Sequence, residues 1–222
     1  MPEKIEELIN GCKIIQEEYG QKFGTDAVQL ANFVKIRKGE RIADLCSGTG
    51  IIPIYLCALN SGITVDAVEI SGESAELARR SAALNGLEDK INIITGDIRD
   101  IKTLLPASST DVVTVNPPYL RANSGKISGD GIRAAARHEI LCGLGDVIGA
   151  AEWLLRHGGR FYMVHRPERM GDIFYEMRAH KIEPKILRMI YKDIKSAPSL
   201  ILIGAQKGAA TGLIVQPPHL LT

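Results

Sequence analysis

The chain lacks several features that mark particular classes of protein. Its 222 residues contain four cysteines but no CxxC pair, and no histidine stands at zinc-finger spacing from them, so a bound metal is not expected. The longest apolar run, residues 51–59, is far shorter than the roughly 18–20 residues of a membrane span. The first residues are charged throughout and do not resemble a secretory signal. We therefore expect a cytoplasmic protein with reduced thiols and no membrane partner.

The chain also has little net charge, because 27 basic residues stand against 26 acidic ones, a formal net charge of +1. This balance argues against binding of nucleic acid by one uniform cation, as in histones. The charge is unevenly divided: residues 1–116 carry 12 basic and 17 acidic residues (net −5), whereas residues 117–222 carry 15 and 9 (net +6). A polyanion would therefore meet the second half of the chain.

The hydrophobic pattern alternates between strand-like and helix-like segments. Short runs rich in β-branched residues predict strands at 41–46, 63–70, 91–95, 111–115, 160–164, 185–191 and 199–205. Helical segments separate most of them, but the last two are so close that they should pair antiparallel. This order predicts an α/β fold with a mostly parallel seven-stranded sheet, one antiparallel strand and helices on both faces. Residues 1–35 are expected to form a helical extension that covers the ligand site, and residues 36–222 the main domain.

The first of these strands ends in a glycine-containing turn, DLCSGTG at 44–50. Gly48 and Gly50 let a ligand approach the backbone, and the following helix offers free N–H groups. Glu69 ends the next strand, where a carboxylate can accept hydrogen bonds from both ribose hydroxyls. A dinucleotide and S-adenosylmethionine share this layout. The third glycine of the dinucleotide fingerprint is replaced by Pro53, and Asp44 suits a methionine ammonium better than a pyrophosphate.

A further acidic residue, Asp97, follows the third strand in the string TGD. Its carboxylate can accept a hydrogen bond from the exocyclic amine of adenine. It can equally cap the helical segment that follows, because aspartate is a favoured cap residue. Both interpretations remain open from the sequence.

The motif Asn116-Pro117-Pro118-Tyr119 follows the fourth strand directly. Two prolines lack N–H groups and fix φ, so the carbonyls here are not consumed by a helix or a strand ladder. Together with the Asn116 side-chain oxygen they form a set of acceptors for a planar NH₂ group, and Tyr119 adds a flat face for stacking. Such a site predicts methylation of nitrogen, in which the amine is held in line with a methyl donor.

These segments together resemble the class I S-adenosylmethionine-dependent methyltransferases of the NPPY type, over nearly the whole chain. Cys46 stands where many members have glycine. Four stretches, QKFGTDAVQLA, NPPY, ARHE (136–139) and VHRPERM (164–170), resemble the bacterial tRNA adenine-N6 methyltransferases that modify adenosine 37 of a valine tRNA. The resemblance implies the Rossmann-like class I methyltransferase fold and S-adenosylmethionine as cofactor. It implies that the cofactor contacts Gln21, Thr25, Asp44, Cys46, Ser47, Gly48, Gly50, Glu69, Ile70, Asp97, Ile98 and Asn116.

The motif alone does not fix the substrate, since it also resembles the site of release-factor glutamine methyltransferases. A third hypothesis is that the chain is a non-catalytic module that binds the cofactor or RNA. Basic residues after the motif favour RNA, most simply tRNA, because they can follow a phosphate backbone; solvated helix faces are the alternative explanation. The candidate substrate contacts are Arg121, Lys126, Arg133, Arg137, His138, His165 and Arg166, and a second basic group comprises Arg166, Arg169, Lys181, Lys185, Arg188, Lys192 and Lys195.

Overall fold

The computed structural model describes residues 2–17, 24–118, 142–193 and 195–221. In chain order the elements are β1 (Glu3–Glu7), β2 (Lys13–Glu17), α1 (Thr25–Phe33), β3 (Arg41–Leu45), α2 (Ile51–Leu59), β4 (Thr64–Glu69), α3 (Gly72–Leu84), β5 (Ile91–Thr95), a 3₁₀ turn (Ile98–Asp100), α4 (Ile101–Leu104), β6 (Thr110–Val115), α5 (Leu144–Leu154), β7 (Leu155–His165), a 3₁₀ turn (Pro167–Arg169), α6 (Met170–Ala179), β8 (Ile182–Tyr191), β9 (Leu200–Lys207), β10 (Ile214–Val215) and β11 (His219–Leu220).

The main sheet has the order β8-β9-β7-β6-β3-β4-β5 across its seven longer strands. All of them are parallel except β9, which pairs antiparallel with both β7 and β8. The predicted fold, a mostly parallel sheet with one antiparallel strand, is confirmed. The count of seven strands is low by two, because β10 and β11 add two-residue pieces in parallel along the outer edge of β8. Strands this short leave no periodic pattern in the sequence.

Helices cover both faces of the sheet and enclose two hydrophobic cores. On one face α1, α2 and α3 pack over buried side chains such as Leu30, Ile54 and Val65. On the other face α4, α5 and α6 pack over Phe161, Met163 and their neighbours. The apolar run at 51–59 is thus the buried helix α2. None of the helices in the described ranges is long and apolar enough to cross a membrane.

The N-terminal segment differs from its prediction. Residues 25–33 are helical, but residues 3–17 form the antiparallel hairpin β1–β2 instead of a helix. The Glu-, Lys- and Ile-rich sequence has adequate local helix propensity, and tertiary contacts override it. Strand β2 lies along α3, where the Ile15 N–H donates to the Ser81 hydroxyl at 2.9 Å. Lys13 exchanges two backbone hydrogen bonds with the side chain of Asn85, at 2.8 and 2.7 Å.

Candidate functional site

The predicted site residues lie at the carboxyl ends of neighbouring parallel strands, the edge where ligands of open α/β sheets bind. Leu45 on β3 is in register with Val115 on β6, so Cys46 and Asn116 follow at adjacent strand ends. The ends of β4, β5 and β7 carry Glu69, the segment leading to Asp97, and His165. The sheet therefore assembles groups that are as much as 120 residues apart in sequence on one edge.

The turn after β3 has a left-handed backbone at three positions. The φ angles are +57° at Cys46, +56° at Gly48 and +84° at Gly50. A Cβ at Gly50 would lie 3.1 Å from the Cβ of Ala78, so glycine also allows α3 to pack against the turn, whereas a Cβ at Gly48 would meet open space. At Cys46 a non-glycine residue carries the strain of this region, about 1 kcal/mol, which explains glycine in the related motif.

Glu69 is fixed against this turn. One carboxylate oxygen accepts from the Gly48 N–H at 2.8 Å and the other from the Ser71 N–H at 2.8 Å. Ser71 also caps α3 by accepting from the Ser74 N–H. Each carboxylate oxygen keeps a second lone pair, so Glu69 can still accept hydrogen bonds from a ribose while its orientation is held by the backbone.

Asp44 is the most strongly perturbed acid of the site. Its residue is 0% exposed, and one oxygen accepts from the Thr114 hydroxyl at 2.5 Å across β3 and β6. The other oxygen is buried without a hydrogen-bond partner, as is the hydroxyl of Ser47. Burial is the main reason that the pKa of Asp44 rises to about 7, and the Thr114 hydrogen bond and the nearby Ser47 hydroxyl oppose the rise. A buried acid without a full set of partners is typical of a ligand site.

Asp97 has taken the capping role that the sequence left open. Its carboxylate accepts from the Arg99 backbone N–H at 2.9 Å and caps the 3₁₀ turn. The Arg99 guanidinium also donates to both oxygens at 2.5–3.1 Å. This hydrogen bonding to Arg99 holds the pKa of Asp97 below its usual range. A contact between Asp97 and adenine stays a prediction, and it would have to share the carboxylate with Arg99.

The target-facing motif is described as far as its second proline. Asn116 is half-buried, Pro117 is buried and Pro118 is half-buried, directly after β6. The predicted contacts Gln21, Tyr119, Arg121, Lys126, Arg133, Arg137 and His138 lie outside the described residues, as does the loop predicted at 121–131.

Three other predicted cofactor contacts take no part in the hydrogen bonds that join Glu69 to the turn. Thr25 is exposed at the first position of α1, and Ile70 is 39% exposed just after β4. Ile98 is only 6% exposed and packs in the core with Ile101 and Leu105. Its side chain is thus part of the hydrophobic core, and a role for these three residues at a ligand stays a prediction.

The second basic group is partly engaged in the fold itself. Arg169 pairs with Asp172 at 2.8 Å, and Lys185 donates to the Ala210 carbonyl at 2.9 Å. The Arg188 guanidinium lies 5.5 Å from the ring centre of Phe33. Arg166 is exposed and donates to the Ser199 carbonyl at 3.2 Å. These contacts support the solvated-face explanation for Arg169 and Lys185, whereas Arg166 is exposed directly after the carboxyl end of β7.

His165 ends β7 and is 7% exposed. Its Nδ1 accepts from the Arg166 N–H at 2.8 Å, so a neutral ring carries its proton on Nε2. Burial, aided by the neighbouring cations Arg169 and Arg166, lowers the pKa of His165 to about 4. The ring is therefore neutral at physiological pH and does not contribute a cation for phosphate binding.

This pKa predicts a loss of stability in mild acid. Between pH 6.5 and pH 4 the unfolded chain protonates His165 and the folded chain does not, so the free energy of unfolding falls as pH falls. The stabilising contribution is up to about 3 kcal/mol; it is fully present above the unfolded pKa of 6.5 and fully lost below the folded pKa of about 4. Thermal unfolding from pH 8 to 4 should show a steeper decline for the wild type than for His165→Gln. The exposed His219→Gln serves as control, and parallel curves for all three proteins would contradict the prediction.

Metal ligands are not grouped at this edge: among the described residues there is no cluster of three His, Cys, Asp or Glu side chains that could hold a metal ion. The polar groups available to a ligand here are carboxylates, hydroxyls and backbone amides.

Comparison with known proteins decides the family. The model of the family described as "Methyltransferase small domain" matches residues 23–180. The chain belongs to this family. The matched region of the methyltransferase small domain includes the glycine turn, Glu69, Asp97, Asn116 and His165. The match begins inside the predicted N-terminal extension, and the domain boundary at residue 35 stays a prediction.

Several curated relatives of this methyltransferase small domain carry the same name. The tRNA1(Val) (adenine(37)-N6)-methyltransferase of Aeromonas salmonicida is 32% identical over 152 residues, 68% of this chain and 61% of that protein. Its counterpart in Dyadobacter fermentans is 26% identical over 205 residues, 91% of this chain and 82% of that protein. The chain thus spans about 61% of the Aeromonas protein's length. A crystal structure of a predicted O-methyltransferase from Agrobacterium tumefaciens superposes with a TM-score of 0.72 at 24% identity, covering 88% of this chain and 86% of that one, which shows the shared fold.

Three residues of the site were missed by the sequence interpretation. Thr114 donates to Asp44 and orients it, the Arg99 guanidinium donates to the Asp97 carboxylate, and Ser71 caps α3 beside Glu69. Only Thr114 left a signal, because a polar residue inside the apolar strand DVVTV needs a buried hydrogen-bond partner. The Arg99 pair depends on side-chain conformation, which sequence periodicity does not report.

Proposed function

We propose that this chain transfers a methyl group from S-adenosylmethionine to the exocyclic N6 amine of an adenine in RNA, with tRNA as the substrate. The observation that carries the proposal is the position of Asn116-Pro117-Pro118 at the end of β6, beside the end of β3, which carries Asp44, and the turn to which Glu69 is bound. Acceptors for a target amine and groups for a methyl donor thereby share one edge of the sheet.

The residues present fit S-adenosylmethionine. Asp44 and Ser47 bring buried oxygens without partners to the place where the methionine ammonium would lie. Glu69 would accept from the ribose hydroxyls, and the open space above Gly48 admits the cofactor close to the backbone. When bound, the cofactor supplies an electrophilic methyl group.

The target amine is activated by position. The lone pair of an adenine amine is delocalised into the ring, which makes it a poor nucleophile. Acceptors at Asn116 and the following carbonyls hold the amine hydrogens on one side and direct the nitrogen to the methyl group. As the new C–N bond forms, the bond from the donor sulfur to the methyl carbon breaks, and the amine proton becomes acidic enough to pass to water, so a strong base is not needed. His165, with its lowered pKa and its Nδ1 already accepting a hydrogen bond, is not the base.

The choice of tRNA rests on two independent supports. The relatives named above carry tRNA adenine-N6 methyltransferase names. The second half of the chain has the net positive charge, and Arg166 stands exposed at the ligand edge. A target adenine would have to leave its stack to reach the methyl group. Such a reaction belongs to the cytoplasm, where tRNA is modified.

The second candidate is methylation of a protein glutamine, because an amide NH₂ presents the same two hydrogens to the Asn116-Pro117-Pro118 acceptors. The chemistry of the motif is common to both targets. The charge distribution favours RNA, since a peptide amide needs no polycationic surface.

One experiment separates the candidates. The protein is incubated with radiolabelled S-adenosylmethionine and unmodified total tRNA, and the tRNA is digested to nucleosides. We expect label in N6-methyladenosine. Label in a release factor and none in tRNA would support the glutamine reaction, and no transfer to either by a protein that binds the cofactor would support a non-catalytic module.

A further inference from the structure

The side chain of Gln16 is buried on the N-terminal hairpin without any hydrogen-bond partner. Gln16 is 2% exposed, and neither its Oε1 nor its Nε2 is paired. Leaving both halves of a buried amide unsatisfied costs several kcal/mol relative to water, which is rare in native proteins. A ligand that pairs with the amide would remove this cost.

The contacts between β2 and α3 fix the height of Gln16, by which we mean its position along the axis of α3. Lys13 meets Asn85 and Ile15 meets Ser81, so two strand residues match four helix residues and the two elements run antiparallel. This ratio follows from a rise of about 3.4 Å per strand residue and about 1.5 Å per helix residue. By the same ratio Gln16, one residue further along β2, lies about two helix residues beyond Ser81, at the level of Arg79 and next to that of Ala78.

Ala78 is the residue against which the glycine turn packs. A Cβ at Gly50 would lie 3.1 Å from the Ala78 Cβ. Gln16 shares its strand face with Ile14, which is fully buried in the hydrophobic core to which α1, α2 and α3 contribute. The Gln16 amide is therefore directed inward at the height of the turn that follows β3.

The methionine end of the cofactor needs a hydrogen-bond donor at this height. Asp44 and Glu69 suit the ammonium and the ribose, but both are acidic and disfavour the methionine carboxylate beside them. Two amides of the turn are already engaged, since the Gly48 N–H donates to Glu69 and the Gly50 N–H to the Ser47 carbonyl. The Gln16 Nε2 is a neutral donor that adds no charge to the buried site.

We propose that Gln16 is a cofactor-binding residue whose side-chain amide donates a hydrogen bond to the methionine carboxylate of S-adenosylmethionine. This inference rests on the proposed function only for the identity of the cofactor. It assigns the hairpin β1–β2 to ligand binding through one named atom, the Gln16 Nε2.

The test compares two ligands that differ only in the carboxylate. Calorimetry measures binding of S-adenosylhomocysteine and of its decarboxylated analogue, which keeps the amine, to the wild type and to Gln16→Leu. We expect Gln16→Leu to bind S-adenosylhomocysteine about tenfold more weakly and the analogue with unchanged affinity. The thermal midpoint of the unliganded variant should be no lower than that of the wild type, because an unpaired buried amide has been removed.

Two further variants make the result decisive. Gln16→Glu places a negative charge at the same position. It should weaken the binding of S-adenosylhomocysteine more than the binding of the analogue, and this result does not depend on whether Gln16→Leu folds. Gln206→Leu is the matched control, because Gln206 donates to the Gly158 carbonyl at 2.9 Å away from the ligand edge. If the Gln16 variants bound both ligands more weakly by the same factor, or bound both as tightly as the wild type does, the role of Gln16 would be overturned. Failure of the wild type to bind S-adenosylhomocysteine would instead overturn the proposed function.

Discussion

Replacing Asp44 with asparagine is expected to weaken S-adenosylmethionine binding roughly 100-fold and to make the unliganded chain more stable at pH 8. The affinity loss follows because the cofactor ammonium would lie in a buried cleft without its counter-charge, a change that costs about 2–5 kcal/mol. The gain in stability follows because the asparagine side chain is neutral, whereas Asp44 is a fully buried carboxylate whose pKa is raised to about 7. Binding and stability should therefore change in opposite directions.

The sign of the pH dependence separates Asp44 from His165. Between pH 3.8 and about 7 the folded wild type holds a proton on Asp44 that the unfolded chain has released. The Asp44 contribution to the free energy of unfolding therefore decreases as pH rises through this range and is lost above pH 7. The difference in thermal midpoint between Asp44→Asn and the wild type measures the Asp44 contribution alone, because both proteins retain His165. It should grow from pH 5 to pH 8.

A matched variant is available on the next strand. Asp66→Asn changes a half-buried aspartate of β4 that accepts from Asn92 at 2.9 Å and faces Arg41 at 3.7 Å. Its effect on cofactor affinity should be within twofold of wild type. Wild-type affinity for Asp44→Asn at pH 8 would show that the ammonium does not meet Asp44.

Replacing Asn116 with alanine is expected to lower the rate of methyl transfer by roughly 10²–10³-fold. A positioned hydrogen-bonding group that acts on the reacting atoms has an effect of this size when it is removed. S-adenosylhomocysteine affinity should change much less, because Asp44, Ser47 and Glu69 are intact. Single-turnover rates with saturating cofactor and tRNA, together with calorimetry, measure the two quantities separately.

The comparison for this variant is Asn92→Ala, which removes an exposed amide from β5 that donates to Asp66. Its rate should match that of the wild type. If Asn116→Ala lost cofactor affinity by the same factor as rate, Asn116 would act through the cofactor and the proposed contact with the target amine would be wrong.

The sequence was informative where local chemistry and strand order coincide. β-branched runs separated by helical segments predicted each long strand of the sheet, and the seven residues between 191 and 199 correctly required an antiparallel pair. The DLCSGTG turn, Glu69 and Asn116 were each predicted at the end of a strand, and the parallel sheet brings those ends to one edge. Their spacing in the chain alone would not have revealed this.

The sequence failed where one element obtains its conformation from another. The segment 3–17 becomes a hairpin because Ser81 and Asn85 of α3 bind its backbone, and those partners are more than 60 residues away. Nothing in its composition distinguishes Gln16 from a solvated glutamine of a helix face. Asp97 had two compatible roles: it caps the 3₁₀ turn through the Arg99 N–H, and its contact with adenine stays a prediction. The sequence did not reveal that the Arg99 guanidinium also binds the carboxylate.

The two short strands at the edge of β8 protect the sheet against aggregation. An open edge strand offers a row of backbone groups on which another chain can add a strand. Here the Gln216 N–H donates to the Leu187 carbonyl and the Leu221 N–H to the Tyr191 carbonyl, so the tail occupies β8 at two separate places. Pro217 and Pro218 lie between them and have no N–H to offer. The outermost strand is thus interrupted by prolines, and an incoming chain finds no continuous ladder to extend.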